Sequence, residues 1–252
     1  LEEGYRVTAT ISPVGMLITQ PEEINPRSSS LKAGTAHPVR FQWNDVKPWN
    51  TETPTLYTLH LKLIDKNNQI VHIHNERIGF RTLEFRPKDG IYINVTKIVL
   101  KGINRHSFHP DGGRTTNKEI SIMDGQLIKD MNMNAVRFHY APDKHFMDVC
   151  DSLGIFVISE LAGWQNAYNT KVGSILLKEL VTRDVNHPSL ILWSSGNEGG
   201  FNYEFDPLYA EYDPQKRHVI HAWADFNNLD THHYPTFLTG VGRFVNGYKV
   251  FM

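Results

Sequence analysis

The stretch Leu190-Ile191-Leu192-Trp193-Ser194-Ser195-Gly196-Asn197-Glu198-Gly199-Gly200 decides how the second half of this chain folds. Four apolar residues read as a short buried strand, and small and polar residues follow at once. The same texture recurs. Apolar segments at Ile98–Leu100, Ala135–Phe138, Ile155–Ile158, Val219–His221 and Thr231–His233 read as further strands. Helical stretches separate them. Thr116 and Glu119 resemble a capping box ahead of a stripe formed by Ile120, Met123, Leu127, Ile128 and Met131. A second helix runs from Asp143 to Gly154, a natural left-handed terminus. A third starts near Ser174 and ends at Asn186-His187-Pro188, where proline forbids continuation. Alternating strands and helices predict right-handed βα units around a parallel sheet.

A barrel and a doubly wound sheet both satisfy that rhythm, and the polar residues separate them. No Gly-x-Gly-x-x-Gly follows the first strand, and neither Gly112-Gly113 nor Gly199-Gly200 carries the flanks of a phosphate loop. Polar residues instead gather just beyond several strands: Asn104, Arg105 and His106; Arg137 and His139; Glu160; Asn197 and Glu198; His232, His233 and Tyr234. That is where a TIM barrel builds its active site. Glu198, backed by glycines that let a ligand approach the backbone, is poised to protonate something, although spacing alone would equally suit a helix cap or a surface carboxylate. Trp164, Tyr203, Phe205, Trp223 and Tyr234 offer aromatic surfaces beside the strand ends, as sugar sites do.

Before residue 90 the texture is different. Tyr57, Leu59, Leu61 and Leu63 alternate with Thr58, His60, Lys62 and Ile64, the period of a strand. Asp65-Lys66-Asn67-Asn68 supplies a turn, and Val71 and Ile73 alternate with His72 and His74 on the return strand. Short strands without helices, with Pro48 and Pro54 marking a crossing, predict an immunoglobulin-like β-sandwich over residues 1–90 and a barrel domain over 91–252. Pro21 to Gly34 reads as a loop.

Composition removes other classes. Lys plus Arg number 26 against 27 Asp plus Glu, so the basic footprint of a nucleic-acid binder is missing. The apolar runs are far shorter than the roughly 20 residues that span a bilayer, so no membrane partner is expected. Cys150 is the single cysteine and reads as core filler beside Phe146, Val149 and Leu153. The chain starts at Leu1 with no signal segment; the compartment stays unread, with a periplasmic or extracellular place favoured.

Ordered blocks add a resemblance. They are Gly79-Phe80-Arg81, Leu100 to Pro110, Asn134-Ala135-Val136-Arg137, Cys150-Asp151-Ser152-Leu153-Gly154, and His187-Pro188-Ser189 leading into Asn197-Glu198. Together they resemble the glycoside hydrolase family typified by β-galactosidase, β-glucuronidase and β-mannosidase, often called family 2. The phrase Trp49 to Tyr57 is similar to the sandwich domain that precedes its barrel. The resemblance implies retaining hydrolysis of β-glycosides by two carboxylates, with a carbohydrate, a β-galactoside or a related glycoside, as partner. Glu198 would match the catalytic acid/base. Asn197 resembles the residue that binds the sugar 2-hydroxyl, Arg137 the arginine that supports the nucleophile, and Tyr234 its hydroxyl neighbour. His106, His139 and Trp164 would line the sugar pocket, whereas Asn104, Arg105 and His109 would brace the first loop.

The chain also departs from that pattern. β-Galactosidases of the family often follow the third strand with an acidic residue and a histidine that bind magnesium, where this chain reads Glu160-Leu161-Ala162-Gly163-Trp164-Gln165-Asn166. No metal or other cofactor is expected. A barrel needs about 250 residues, and no Glu or Asp follows Asp230. The expectation is therefore an incomplete barrel that carries the acid/base without the nucleophile and is inactive alone. Tyr248 to Met252 resembles the start of the strand that would bear it. An open sheet exposes its edge, so pairing with a second copy is expected. The competing readings are a non-catalytic carbohydrate-binding protein and a structural interaction scaffold.

Overall fold

The computed structural model describes residues 5–14, 42–86, 89–226, 229–231 and 233–234. The loop expected at 21–34, His232 and the strand expected at 248–252 lie outside the described residues. Backbone contacts divide the chain into two compact units, one of residues 1–49 and 55–80, the other of residues 50–54 and 81–252.

Among its described residues the first unit is all-β. Strands β1 (Arg6–Pro13), β2 (Tyr57–Ile64) and β3 (Ile70–Ile78) pair antiparallel in the order β1-β2-β3. The expected hairpin forms because the Asp65 carboxylate accepts the backbone N–H groups of Asn67 and Gln69, both at 2.8 Å, while Asn68 takes a positive φ of 63°. Strand β1 has no counterpart in the sequence reading. Its Thr8, Thr10 and Ser12 are buried, so a polar alternation concealed a buried strand. Tyr57 and Ile64 are buried and the middle of β2 is half-buried.

The second unit begins with an antiparallel ribbon, β4 (Leu83–Arg86), β5 (Gly90–Ile93) and β6 (Thr96–Ile98). Then comes the alternating region: β7 (Gly102–Arg105), α1 (Lys118–Asp130), β8 (Ala135–Phe138), α2 (Lys144–Leu153), β9 (Phe156–Trp164), α3 (Thr170–Asp184) and β10 (Leu190–Asn197). A 3-10 turn over Tyr203–Phe205, α4 (Asp206–Tyr212) and β11 (Val219–Ile220) follow. All five strands β7 to β11 are parallel, and their order in the sheet is their order in the chain. A doubly wound sheet would reverse direction at a switch point; this one advances in one sense, as a barrel does. β8 and β10 are buried along their whole length, and Val136, Phe138, Phe146, Cys150, Val157, Leu177, Leu190 and Trp193 share one core.

Several expectations need correction. Ile98–Leu100 is not the first barrel strand. Ile98 closes the antiparallel ribbon, Val99 is 69% exposed, and the barrel begins at Gly102. There Gly102 lies so close to β8 that a Cβ would sit 3.0 Å from the Ala135 carbonyl oxygen. The N-cap of α1 is Asn117, whose side chain accepts the Ile120 N–H, while the Thr116 hydroxyl donates to Asp143 at 2.6 Å. Of the expected stripe on α1 only Ile128 is fully buried; Met123, Leu127 and Met131 are exposed. The inward face carries Ser121, Gly125 and Ile128, since α1 approaches α2 so closely at Gly125 that only hydrogen fits against Val149. Helix α3 starts four residues before Ser174, capped by Asn169. Thr231–His233 is not a strand among the described residues: β12 (Asp225–Phe226) and β13 (Leu229–Asp230) form a small antiparallel ribbon, and the Thr231 hydroxyl donates to the carbonyls of His221 and Ala224. Helix α2 ends at Gly154 with φ of 70°, as expected, and Cys150 is wholly buried.

A buried pair joins α2 to the start of β10. His187 Nδ1 and Asp151 Oδ2 are 2.6 Å apart, and Asp151 Oδ1 accepts the Ser189 N–H at 3.1 Å. Burial opposes charge on His187, but the Asp151 carboxylate outweighs it and raises the His187 pKa above its usual range. A pKa raised by folding stabilises fully below the unfolded value, about 6.5, and the contribution is lost as pH rises through the folded value. The stability gap between the wild type and Asp151→Asn should therefore narrow in denaturant titrations as pH rises from about 6.5 through the raised folded value; a constant gap would contradict a charged His187. Gly125→Ala should destabilise the protein by about 1–3 kcal/mol, measured the same way, because the added methyl collides with Val149.

Candidate active site

The residues expected to act together do meet. Glu198, Asn197, His106, His139, Arg137, Trp164 and Tyr234 all line one cleft of about 590 Å³, joined by Asn104 and His233. It opens beyond the C-terminal ends of β7 to β10. Arg137 projects from β8, Asn197 is the last residue of β10, and His106 and His139 directly follow β7 and β8.

Beneath the floor lies a carboxylate to which the sequence reading gave no role. Glu160, in β9, is fully buried and forms an ion pair with Arg137 Nη2. The Ser194 hydroxyl donates to Glu160 Oε2 at 2.8 Å, and His139 Nδ1 lies 3.4 Å from Oε1. Burial raises the Glu160 pKa above its ordinary value, with Arg137 and the Ser194 hydroxyl opposing that rise. The signal for Glu160 was its position one strand from Arg137 in register: Arg137 pairs with Ile158, so Glu160 stands two residues on, on the same face. Arg137 Nη2 also donates to Asn197 Oδ1 at 2.8 Å. The Asn197 carboxamide is thereby oriented with its oxygen toward Arg137 and its NH₂ group left as donor. Arg137 Nε is buried and has no hydrogen-bond partner among the described residues.

Glu198 sits just past the strand on a left-handed backbone, with φ of 46°, between Gly196 at 77° and Gly199 at 88°. Its Oε2 accepts the Trp164 indole N–H at 3.0 Å, and its Oε1 lies 3.1 Å from His233 Nδ1. Those donors, Trp164 first and then His233, hold its pKa below the usual carboxylate value. Burial, the nearby His139, Arg114 and Arg137 together lower that of His106. His233 was visible in the sequence as a strand-end polar residue, but nothing in its spacing tied it to Glu198.

Some expected participants stand elsewhere. Phe205 belongs to the core, its ring against Gly173 of α3. Tyr203 packs on Phe201 and His221 and does not line the cleft. Arg105 braces the first loop as expected, bound to Asp124 and Ser107 with its guanidinium over Phe146. His109 closes a loop by pairing with Gly113. Asn104, expected as a brace, instead faces the cleft and accepts from Arg137 Nη1 at 3.4 Å.

The residues do not fit a magnesium ion beside Glu198. Magnesium takes oxygen ligands at near-ideal octahedral positions, whereas both carboxylate oxygens of Glu198 face N–H donors and position 164 is an indole. Away from the cleft, Asp148, Asp151 and His187 offer ligand atoms within 4.8 Å of one another, but Asp151 is engaged by His187 and Ser189 as described.

Comparison with known proteins agrees with this geometry. Residues 86–222 match the family described as glycosyl hydrolases family 2, TIM barrel domain, and residues 3–81 match glycosyl hydrolases family 2. Among curated relatives, the β-galactosidase of Thermoanaerobacterium thermosulfurigenes is 35% identical over 69% of this chain and 25% of its own length. That of Vibrio vulnificus strain YJ016 is 31% identical over 85% of this chain and 22% of its own. A putative β-glucuronidase of Formosa agariphila is 31% identical over 73% and 25%. The chain thus spans a quarter or less of the length of these relatives. Among solved structures, a Parabacteroides merdae β-glucuronidase with glycerol in its active site superposes with a TM-score of 0.79 at 19% identity, over all of this chain and 36% of that one. A β-glycosidase from Bacteroides vulgatus gives 0.75 at 23%, over 98% and 33%. The fold is that of multidomain family 2 proteins, an immunoglobulin-like β-sandwich followed by part of a TIM barrel, and the chain belongs to glycosyl hydrolase family 2.

Proposed function

We propose that these residues are part of a retaining β-glycosidase, β-galactosidase-like in substrate, in which Glu198 is the general acid/base and the nucleophile is a carboxylate supplied by sequence outside residues 1–252. The observation that carries this reading is the arrangement around Arg137. Its Nη2 is committed to Glu160 and Asn197, while its buried Nε is unpartnered among the described residues, beside the cleft that Glu198 faces. A partner carboxylate at about 5–5.5 Å from Glu198, the retaining separation, would find a cationic donor there. Glu160 is not that carboxylate, since it is buried and held by Arg137 and Ser194.

In the first step the protonated fraction of Glu198, which its N–H donors keep small in the free protein, gives its proton to the glycosidic oxygen as the partner carboxylate bonds to the anomeric carbon and the bond to the leaving group breaks. In the second, the Glu198 carboxylate takes a proton from water, whose oxygen bonds to the anomeric carbon and releases the partner carboxylate. The NH₂ of Asn197, turned away from Arg137 and toward the Glu198 carboxylate, suits a donor to the sugar 2-hydroxyl, a contact that strengthens in the transition state. Trp164 and Tyr234, 58% and 84% exposed, offer faces on which a sugar ring stacks. The names of the curated relatives favour a β-galactoside over a β-glucuronide.

Residues 1–252 alone should show negligible turnover of aryl β-galactosides. In a polypeptide that joins them to the partner carboxylate, Glu198→Gln should lower kcat/KM by about 10²–10⁴-fold for poor leaving groups and far less for activated aryl glycosides, as read by steady-state kinetics. An equal, small loss with both substrate types would reject the assignment.

A further inference from the structure

We infer that Trp164 and His233 are positioning residues of Glu198: the indole fixes Oε2 as an acceptor, so the transferable proton resides on Oε1, attended by His233. The inference rests on the reading of Glu198 as acid/base, but its structural content stands apart from catalysis.

The chemistry of the two rings makes the clamp asymmetric. An indole N–H is a donor only, whereas a neutral imidazole nitrogen donates or accepts according to tautomer. While Trp164 Nε1 holds Oε2 at 3.0 Å, that oxygen cannot also present a proton toward the indole. Oε1, 3.1 Å from His233 Nδ1, has no such restriction. His233 donates to the carboxylate and, as the other tautomer, accepts from the acid. Burial is the chief reason that His233 titrates below its usual range, with Arg137 and His139 adding to it and Glu198 opposing it, which favours the neutral ring such an exchange requires.

The backbone explains why both donors stay in place. Trp164 pairs with Asn197 across the ends of β9 and β10, next to a register shift. At that crossing Gly163 and Gly200 pack backbone against backbone with no room for a Cβ on either. Glu198 leaves the strand through a left-handed φ, so its side chain is set by the turn as well as by its partners. On the other side, the Thr231 carbonyl accepts the Trp223 N–H at 2.9 Å, and the His233 ring lies edge-on to Trp223 and Tyr234 at 6.2 and 6.0 Å between centroids. Besides Tyr234, which packs on His233, the charged or titratable groups facing this arrangement in the cleft are Arg137, His106 and His139.

The test is a pH titration of residues 1–252 by NMR, with ¹⁵N-labelled tryptophan and ¹³C-labelled glutamate side chains. The Trp164 indole nitrogen should titrate with the midpoint of Glu198 and lose that titration in Glu198→Gln. Trp164→Phe and His233→Phe should each raise the Glu198 midpoint. Trp164 is largely exposed, so its replacement leaves the core intact, and the indole titration of the wild type needs no variant at all. In the active polypeptide the same substitutions should move the alkaline limb of kcat/KM to higher pH, since the acid form persists further, with a rate loss of up to about 10²-fold from misplacement. A Trp164 indole blind to Glu198, or a Glu198 midpoint unmoved by both substitutions, would overturn the clamp. A Glu198→Gln enzyme of full activity whose wild type still shows the indole titration would instead overturn the acid/base reading and leave the clamp standing.

Discussion

The ion pair between Arg137 and Glu160 sets the geometry on which the cleft depends. It bridges β8 and β9 beneath the floor, and through Ser194 and Asn197 it reaches β10, so three neighbouring strands are tied at the level where the site begins. Taking two charges out of water costs about as much as their attraction returns, so a buried pair of this kind contributes orientation more than stability. The raised pKa of Glu160 records that desolvation. What the pair supplies is a guanidinium with a fixed direction: one edge turns the Asn197 carboxamide, and the remaining buried nitrogen stays available.

Presentation of Glu198 is a matter of backbone room. Asn197 ends a fully buried strand, and the chain must leave it sharply for the next residue to face the cleft. Glycines at 196 and 199 take positive φ, and glycines at 163 and 200 let two strand ends approach to a distance that no side chain permits. Glu198 itself accepts a left-handed conformation, a cost of order 1–3 kcal/mol that persists only where its surroundings over-determine it. The indole and imidazole on either side of its carboxylate are that surrounding.

Much of this was legible in the sequence because the decisive signals were local. The start of α2 at Asp143 and its C-terminal glycine, the hairpin turn at Asp65, and the polar residues beyond β8 and β10 each follow from residue chemistry over a few positions. What escaped was decided by tertiary contacts. Ile98-Val99-Leu100 has the composition of a buried strand, yet the close approach of Gly102 to Ala135 puts the barrel strand four residues later. On α1 the count of apolar residues chose the wrong face, because contact at Gly125 turns small residues inward and leaves Met123, Leu127 and Met131 exposed. Phe205 looked like a sugar platform and fills the space beside Gly173. Glu160 and His233 carry no motif of their own; only the register of β8 with β9 and the fold-back at Thr231 bring them to Arg137 and Glu198.

The division of labour between Glu198 and the partner carboxylate is tested most directly by azide trapping. In the active polypeptide carrying Glu198→Ala, an activated aryl β-glycoside still forms the glycosyl-enzyme, and azide then enters the space that the acid/base vacated. Product analysis by NMR should find the β-glycosyl azide, with configuration retained. An α-glycosyl azide would make Glu198 the nucleophile and contradict the account.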